Sequence, residues 1–244
     1  MLAFPERPPP GKHTSRAMIE ICQISHAFDG RSVLRNISLT LAERRIAIIG
    51  ANGSGKTTLA RTLNGLLVPQ KGDVRVDGIS ARKNGREVRR LVGYVFQNPE
   101  HQIVMPTVEE DLAFGLENMN LPKAQITARV GDMLAAHGLD DRRSAAAHLL
   151  SGGEQKLLTL LSVLIMEPRY IIFDEPMNSL DRVARRRLST LMDGLEQTVI
   201  TITHDLGLIA EYDRAILIHE GAVAADGAPG DVIGRYVRMS DDGL

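Results

Sequence analysis

The fold of this chain is decided by the stretch Ile46-Ala-Ile-Ile-Gly-Ala-Asn-Gly-Ser-Gly-Lys-Thr57. It opens with an apolar run, which is typical of a short strand buried on both faces of a parallel sheet. From Gly50 to Thr57 it matches the phosphate-loop pattern G-x-x-x-x-G-K-S/T. A helical pattern follows from Lys56 to about Leu67, so the loop lies between a strand and a helix, as the motif requires. The stretch predicts an α/β fold with a site for the phosphates of a nucleoside triphosphate.

The loop supplies the chemistry that phosphate oxygens need. Its glycines allow backbone N–H groups to curve around the oxygens, and the helix that follows adds free donors and a positive end. We expect Lys56 to reach the β- and γ-phosphates and the hydroxyl of Thr57 to bind Mg²⁺. The candidate nucleotide-binding residues of this loop are Gly50, Asn52, Gly53, Ser54, Gly55, Lys56, Thr57 and Thr58.

Two acidic residues follow a second buried strand. The apolar run at residues 170–173 leads into Asp174 and Glu175, and ligands of open parallel sheets bind beyond the carboxyl ends of the strands. Asp174 can therefore hold Mg²⁺, and Glu175 can polarise the attacking water as a general base. Many strands end in polar turns, so this interpretation depends on the phosphate loop elsewhere in the chain.

A second glycine-rich segment lies at Leu150-Ser-Gly-Gly-Glu-Gln155, just before an apolar run at residues 157–166. Ser151 and Glu154 have the spacing of a capping box. The two glycines leave the start of the helix bare, so that a phosphate could approach its backbone donors. By itself the segment fits an ordinary capped helix with a flexible entry equally well.

The other apolar runs are short and alternate with helical patterns. They lie at residues 19–24, 33–34, 37–41, 74–76, 199–202 and 215–218, and the stretch from about 98 to 166 is mostly helical. Strands that alternate with helices indicate an α/β fold with a mainly parallel sheet. We expect the helical stretch to be an insertion in that fold.

Composition and charge argue against several other classes of protein. The 244 residues are 43% hydrophobic and 24% charged with a net charge of −1, which is ordinary for a globular chain and unlike a protein that coats nucleic acid. The single Cys22 cannot form an internal disulfide and fits a reducing compartment. The apolar run at 157–166 is far shorter than the roughly 20 residues of a membrane helix. We therefore expect a cytoplasmic chain with no nucleic-acid partner.

Together these motifs resemble those of the ATP-binding cassette (ABC) ATPases, over residues 19 to about 231. Three further matches are Gln97, the turn Asn178-Ser-Leu-Asp181, and His204 after an apolar run. The resemblance implies a RecA-like P-loop core with a mainly parallel sheet, a small antiparallel β subdomain, an inserted helical subdomain, and ATP and Mg²⁺ as cofactors. The predicted organisation is a flexible leader at 1–17, an ABC ATPase domain at 18–235 with the helical subdomain at about 98–166, and a tail at 236–244.

In the resembled family two cassettes pack head to tail, and the signature segment of each chain closes the nucleotide site of the other. The resemblance implies that Ser151, Gly152 and Gly153 contact the γ-phosphate in the partner's site. It also implies that Asp181 lies across the dimer seam. A chain that has both the phosphate loop and the signature can build two equal sites as a homodimer.

Three residues take their predicted roles from the resemblance alone. It implies that Phe28, which lies 22 residues before Gly50, stacks on adenine where the family often has tyrosine. It implies that His204 contacts the γ-phosphate, and that Gln97 contacts the metal or the attacking water and signals to a membrane partner. Without the other motifs, each would be an ordinary core or turn residue.

The block from Val95 to Glu117 is similar to ATPases of energy-coupling-factor (ECF) transporters, including those for cobalt, nickel and biotin. The similar segments are Phe96-Gln-Asn-Pro99, Thr107-Val-Glu-Glu-Asp111 and Ala113-Phe-Gly115. In that family they surround a groove for helices of a membrane coupling protein. The acids that follow Thr107 either face a basic partner helix or form a solvated first turn that the helix dipole stabilises.

The sequence therefore predicts the ATPase subunit of an ECF-type transporter, bound peripherally to the cytoplasmic face of the cell membrane. Its expected partners are a second ATPase chain, a membrane coupling subunit and a small substrate-binding membrane subunit. The short segment after the last predicted strand favours a dedicated transporter, with biotin as the first substrate to consider and cobalt or nickel next. Two alternatives stay open: the ATPase of an ABC importer that uses a solute-binding protein, and a soluble ABC ATPase.

Overall fold

The computed structural model describes residues 18–241, so the predicted leader at 1–17 and the last three residues of the predicted tail lie outside it. The strands are β1 Ile19–Phe28, β2 Arg31–Leu41, β3 Arg45–Ile49, β4 Lys71–Val76, β5 Ile79–Ser80, β6 Val92–Val95, β7 Tyr170–Asp174, β8 Thr198–Ile202, β9 Arg214–His219 and β10 Ala222–Gly227. The helices are α1 Lys56–Leu63, α2 Ala81–Leu91, α3 Val108–Glu117, α4 Lys123–His137, α5 Gly152–Leu164, α6 Arg182–Asp193 and α7 Pro229–Asp241.

The main sheet has six strands in the order β10-β9-β3-β8-β7-β6. The four pairings from β9 to β6 are parallel, and β10 alone runs antiparallel at the edge. All five residues of β7 are buried, because helices or the second sheet cover both faces of a parallel sheet. The predicted α/β fold with a mainly parallel sheet is confirmed.

A second sheet, in the order β2-β1-β4-β5, is antiparallel throughout. Its first hairpin turns at Asp29 and Gly30, whose φ angles of 48° and 80° are those that a tight hairpin turn needs. The two apolar runs predicted at 33–34 and 37–41 belong to one strand, β2. The hairpin packs on the same core cluster as α1, which brings Phe28 to the phosphate loop.

The helices α3, α4 and α5 form the predicted helical insertion around their own apolar cluster. Helix α5 also packs Leu160 and Val163 against Phe173 of the main sheet. Because it belongs to both clusters, α5 joins the helical subdomain to the main sheet.

Several elements differ from the predicted pattern. Helix α1 ends at Leu63, before the predicted Leu67, since Gly65 turns the chain with a φ of 70°. Helices α2 and α6 carry few buried apolar residues and were not predicted. Helix α7 runs through the predicted boundary between residues 235 and 236. Among residues 18–241, no helix is both long and apolar enough to cross a bilayer.

Candidate nucleotide-binding site

The carboxyl ends of three neighbouring parallel strands meet at one edge of the main sheet. The phosphate loop follows β3, Glu175 follows β7, and His204 lies shortly after β8. These loops line a cavity of about 1170 Å³. The predicted site residues that line it are Phe28, Gly50, Asn52, Gly53, Ser54, Gly55, Lys56, Thr57, Thr58, Gln97, Glu175 and His204.

The phosphate loop is enclosed by its neighbours so closely that two positions require glycine. Gly50 and Gly55 have φ angles of 146° and 106°. A Cβ on Gly50 would lie 2.2 Å from the carbonyl oxygen of Ile218, and one on Gly55 would lie 2.7 Å from that of Val33. Helix α1 then begins with no side-chain cap, so its first backbone N–H groups can bind an anion. The loop is built to present backbone donors to the cavity.

Lys56 points back into its own loop. Its Nζ donates to the carbonyl oxygens of Gly50 and Ala51, at 2.8 Å each. Burial lowers the pKa of Lys56, and the nearby charges of Glu175 and Asp174 oppose that change. The ammonium group therefore lies within the loop that would hold the phosphates, where it can contribute a positive charge.

Asp174 lies beneath the loop and is held by two hydroxyl groups. Thr57 Oγ1 donates to Asp174 Oδ1 at 3.2 Å, and the hydroxyl of Tyr94 donates to Oδ2 at 2.8 Å. Burial raises the pKa of Asp174, and both hydrogen bonds oppose the rise. The Thr57 hydroxyl and the Asp174 carboxylate are hard oxygen donors, the kind that Mg²⁺ prefers. Sequence reasoning missed Tyr94, because β6 gave no clear signal.

Glu175 is held by its backbone next to His204. It has a φ of 50°, which is unusual for a residue other than glycine, and its N–H donates to the carbonyl oxygen of Ile202 at 2.9 Å. His204 Nδ1 lies 3.0 Å from Glu175 Oε2. The predicted base and the predicted γ-phosphate contact therefore lie side by side at the mouth of the cavity.

Gln97 is exposed at the end of β6 and is tied by its backbone to a residue that the sequence analysis missed. Lys156, on α5, is only 4% exposed. Its Nζ donates to the carbonyl oxygen of Gln97 at 2.6 Å and lies 3.4 Å from that of Glu175. Burial lowers the pKa of Lys156 to about 8, against the opposing charges of Asp174 and Glu175. The only sequence signal was a lysine directly before an apolar run.

Other residues that line the cavity had no predicted role. Asn178 comes from the turn that precedes α6, Arg31 from the start of β2, and Tyr236 from α7. Tyr236 is contributed by a helix whose extent was not predicted, so the sequence offered no reason to place it here.

The signature segment lies outside this cavity in the same chain. Ser151 and Glu154 form the predicted capping box at the start of α5. Gly152 lines a smaller hollow of about 470 Å³, beside Gln97 and Asn178. Asp181, likewise outside the nucleotide cavity, caps α6 by accepting from the N–H of Ala184 at 2.8 Å. Within one chain, the structure does not bring the predicted trans residues to the phosphate loop.

The acids at the start of α3 are used within the chain. Glu110 completes a capping box with Thr107, and Glu109 pairs with Arg143 at 2.7 Å. Asp111 is buried and accepts from the N–H groups of Val104 and Met105 at 3.0 and 3.2 Å and from Ser162 Oγ at 2.9 Å. These contacts favour an acidic first turn with internal partners over a surface of free acids for a basic partner helix.

Known proteins with similar sequences share the family of this chain. The family model described as ABC transporter matches residues 34–178. The biotin transport ATP-binding protein BioM of Rhodobacter capsulatus is 41% identical, over 90% of this chain and 94% of its own length. The cobalt import ATP-binding protein CbiO of Syntrophus aciditrophicus is 44% identical, over 93% and 84%.

A solved structure is similar over almost the whole chain. CbiO1 of Clostridium perfringens, part of the ABC transporter complex cbiONQ, superposes with a TM-score of 0.78 and 30% identity, and the match covers 94% of this chain and 96% of that one. The fold, the cavity and these relatives lead to one assignment: the chain belongs to the ATP-binding cassette family, as an ATPase similar to those of energy-coupling-factor transporters.

Proposed function

We propose that this ATPase works as a head-to-tail homodimer that powers the uptake of a small micronutrient through an ECF-type transporter. The observation that carries the proposal is the division of the nucleotide site. The phosphate loop, Glu175 and His204 line one cavity, whereas Gly152 and its neighbours in the signature lie outside it. A second copy of the chain supplies the missing side of each site.

ATP binds along the cavity in the proposed mechanism. Phe28 is 48% exposed and lines the cavity, so its ring can stack on adenine. The N–H groups of the loop and of the start of α1 bind the phosphate oxygens. Lys56 turns from its carbonyl partners toward the β- and γ-phosphates.

The donors around the loop fit Mg²⁺. They are the hydroxyl of Thr57, the carboxylate of Asp174 and the amide oxygen of Gln97, which borders the same cavity. Within residues 18–241, no group of three or more His, Cys, Asp or Glu residues forms a separate metal cluster. This suits a cation whose other ligands are water and phosphate oxygens. Mg²⁺ bound there supplies charge that neutralises the transferred phosphoryl group.

Hydrolysis in this site is a direct displacement. The oxygen of a water molecule bonds to the γ-phosphorus, and the bond between that phosphorus and the bridging oxygen of ADP breaks. Glu175 accepts the proton of the water. Lys56, His204 and the partner's Ser151 and Gly153 stabilise the charge on the phosphoryl oxygens.

The membrane partner docks on the helical subdomain beside Gln97. Val104 and Phe114 are apolar but 60% and 42% exposed, and the N–H of Val104 donates to Asp111 of α3. Contiguous apolar patches on a protein surface typically bind partner proteins, and we propose that these two side chains belong to such a patch. Lys156 of α5 donates a hydrogen bond to the carbonyl oxygen of Gln97. This bond connects the helical subdomain to the nucleotide site, so movement of the docking surface can be passed on through Gln97. The chain would then lie at the cytoplasmic face of the membrane through its partners.

Biotin stays the first substrate to test, with cobalt and nickel next, and the relatives named for biotin transport and cobalt import support the first two of these. Substrate choice in the proposed assembly belongs to a membrane subunit, so it is tested on the complex.

The test is capture of the tagged chain from gently solubilised native membranes, followed by mass spectrometry. We expect a broad coupling subunit and a small, very hydrophobic binding subunit, with any bound small molecule naming the substrate. Phe114→Arg should lose both subunits and keep nucleotide binding. Val237→Arg is the matched control, because Val237 is 44% exposed on α7, away from the helical subdomain.

Two other results would contradict the proposal. Two matched permease subunits would show an importer that uses a solute-binding protein. No captured membrane protein would show a soluble ATPase.

A further inference from the structure

Tyr94 makes a buried contact with the carboxylate that is proposed to hold Mg²⁺. Its side chain is 6% exposed, and its hydroxyl lies 2.8 Å from Asp174 Oδ2. The strand register explains the contact, since Tyr94 pairs with Ile172 and the side chains of Ile172 and Asp174 point to the same face of β7. The hydroxyl reaches along that face to the end of the neighbouring strand.

The two oxygens of Asp174 are therefore held from two directions. Tyr94 donates to Oδ2 and Thr57 donates to Oδ1, because an ionised carboxylate only accepts hydrogen bonds. The ring of Tyr94 is itself fixed, with its centroid 4.7 Å from that of Phe96. A rigid tyrosine that donates to one oxygen leaves the carboxylate a single orientation beneath the phosphate loop.

We propose that Tyr94 is a positioning residue for the divalent cation: its hydroxyl aims the Asp174 carboxylate at the metal that Thr57 helps to hold. The inference rests on the proposed role of Asp174 in binding Mg²⁺. Tyr94 itself touches neither the metal nor the nucleotide. Residues that orient metal ligands typically contribute about 10- to 100-fold to metal affinity.

A matched control exists on the adjacent strand. Tyr170 is fully buried, and its hydroxyl donates to Asp77 Oδ1 at 2.6 Å. Tyr170→Phe removes the same kind of buried tyrosine–aspartate hydrogen bond away from the nucleotide cavity. Any general effect of losing such a bond appears in both variants, whereas an effect on the metal appears only in Tyr94→Phe.

The experiment measures binding rather than turnover. Tyr94→Phe, Tyr170→Phe and Asp174→Asn are placed in the full chain with Glu175→Gln, which is expected to slow hydrolysis about 10²- to 10⁴-fold. The affinity for a fluorescent ATP analogue is measured in EDTA and then across a Mg²⁺ titration, and Mn²⁺ binding is followed by the loss of its free electron paramagnetic resonance signal. Unfolding midpoints in urea report the stability of each variant.

We expect Tyr94→Phe to raise the half-saturating Mg²⁺ and Mn²⁺ concentrations about 10- to 100-fold, with unchanged affinity in EDTA. Tyr170→Phe should match the parent chain in both. Half-saturation of Tyr94→Phe within twofold of the parent would overturn the inference, as would an equal loss of affinity in EDTA and in Mg²⁺. Normal Mg²⁺ dependence in Asp174→Asn would instead remove the proposed metal role of Asp174, on which the inference rests.

Discussion

The two glycine-rich segments of the chain each precede a helix, but they differ in how closely neighbouring backbone surrounds their first glycines. A Cβ on Gly50 or Gly55 would meet a neighbouring backbone oxygen within 2.7 Å, whereas a Cβ on Gly152 would have nothing within 4 Å. Helix α1 has no side-chain cap, while α5 has the complete capping box of Ser151 and Glu154. The first segment therefore presents uncapped backbone donors to the cavity, whereas Gly152 leaves open space at the start of α5. We therefore expect the open position at Gly152 to serve a contact with a second chain.

The largest loss of activity is expected when the proposed general base beside the phosphate loop is removed. We expect Glu175→Gln to lower the rate of hydrolysis about 10²- to 10⁴-fold, because the amide cannot accept the proton of the attacking water. Nucleotide affinity should change little, because the substitution leaves the donors of the phosphate loop in place. Phosphate release and equilibrium ATP binding check the two parts separately. A rate within tenfold of the parent chain would mean that Glu175 is not the base.

The proposed role of the signature segment can be tested at Gly152, where a Cβ would have nothing of its own chain within 4 Å. We expect Gly152→Ala to keep the fold and the ATP affinity of the monomer, but to lose ATP-driven dimerisation and at least tenfold of the hydrolysis rate. The physical reason is that the new methyl group meets only the partner's nucleotide. Light scattering with ATP in a Glu175→Gln background measures the dimer.

The control for this variant is Gly131→Ala, in the middle of α4, where an added Cβ makes only an ordinary contact at 3.6 Å with Arg143. That substitution should stabilise the chain by about 0.5–1 kcal/mol and leave dimerisation unchanged. Gly153→Ala is a poorer probe, since its Cβ would lie 2.8 Å from that of Ala184 within the same chain. Normal ATP-driven dimers of Gly152→Ala would contradict the head-to-tail arrangement.

Lys156 connects the helix of the signature segment to the nucleotide cavity. It lies on α5 and donates to the backbone carbonyl oxygens of Gln97 and Glu175. We expect Lys156→Met to lower the turnover number several-fold and to leave KM for ATP unchanged, since Lys156 does not line the nucleotide cavity. Steady-state kinetics of the two chains separate these quantities. A change in KM alone would mean that Lys156 acts on binding and not on the position of Glu175.

The same lysine predicts a pH dependence of stability in metal- and nucleotide-free protein. Its pKa falls from 10.5 to about 8 on folding, so the unfolded chain binds more protons between those values and the folded state gains stability as pH rises through them. The gain is at most about 1.4 kcal/mol per pH unit. Urea unfolding from pH 7.5 to 10 should show this rise in the parent chain relative to Lys156→Met, and parallel curves would contradict it.

Sequence predicted the parts of the site that are contiguous in the chain. The phosphate loop, the acid pair after β7 and both capping boxes each depend on residues a few positions apart, so their patterns are visible before folding. The hydrogen bonds of Tyr94 to Asp174 and of Lys156 to Gln97 join residues 80 and 59 positions apart. They depend on strand order and on how α5 packs, which no local pattern encodes.

The helices that sequence missed have a different cause. Helix α6 buries only Leu188 and Met192 among several arginines, and α2 buries only Ala81 and Val88. Both helices are amphipathic, but each has so few apolar residues that no apolar run marks it in the sequence. For the acids after Thr107 the sequence left two interpretations open, and the internal hydrogen bonds of Asp111 could not be foreseen because they depend on packing against Ser162 of α5.

The smallest effect on ATP binding is expected at Phe28, which lines the nucleotide cavity. The ring of His26 meets that of Phe28 edge-on at 4.5 Å, which steadies the ring while nearly half of it stays open to the cavity. Stacking of this kind contributes about 0.5–1.5 kcal/mol, so we expect Phe28→Ala to weaken ATP binding about 2- to 13-fold. Phe28→Tyr keeps the stacking face and should bind ATP within twofold of the parent chain.

Because stacking does not depend on the pattern of hydrogen bonds on the base, Phe28→Ala should weaken the binding of GTP by the same factor as that of ATP. A loss of affinity confined to ATP would show that Phe28 also contributes to the choice between adenine and guanine.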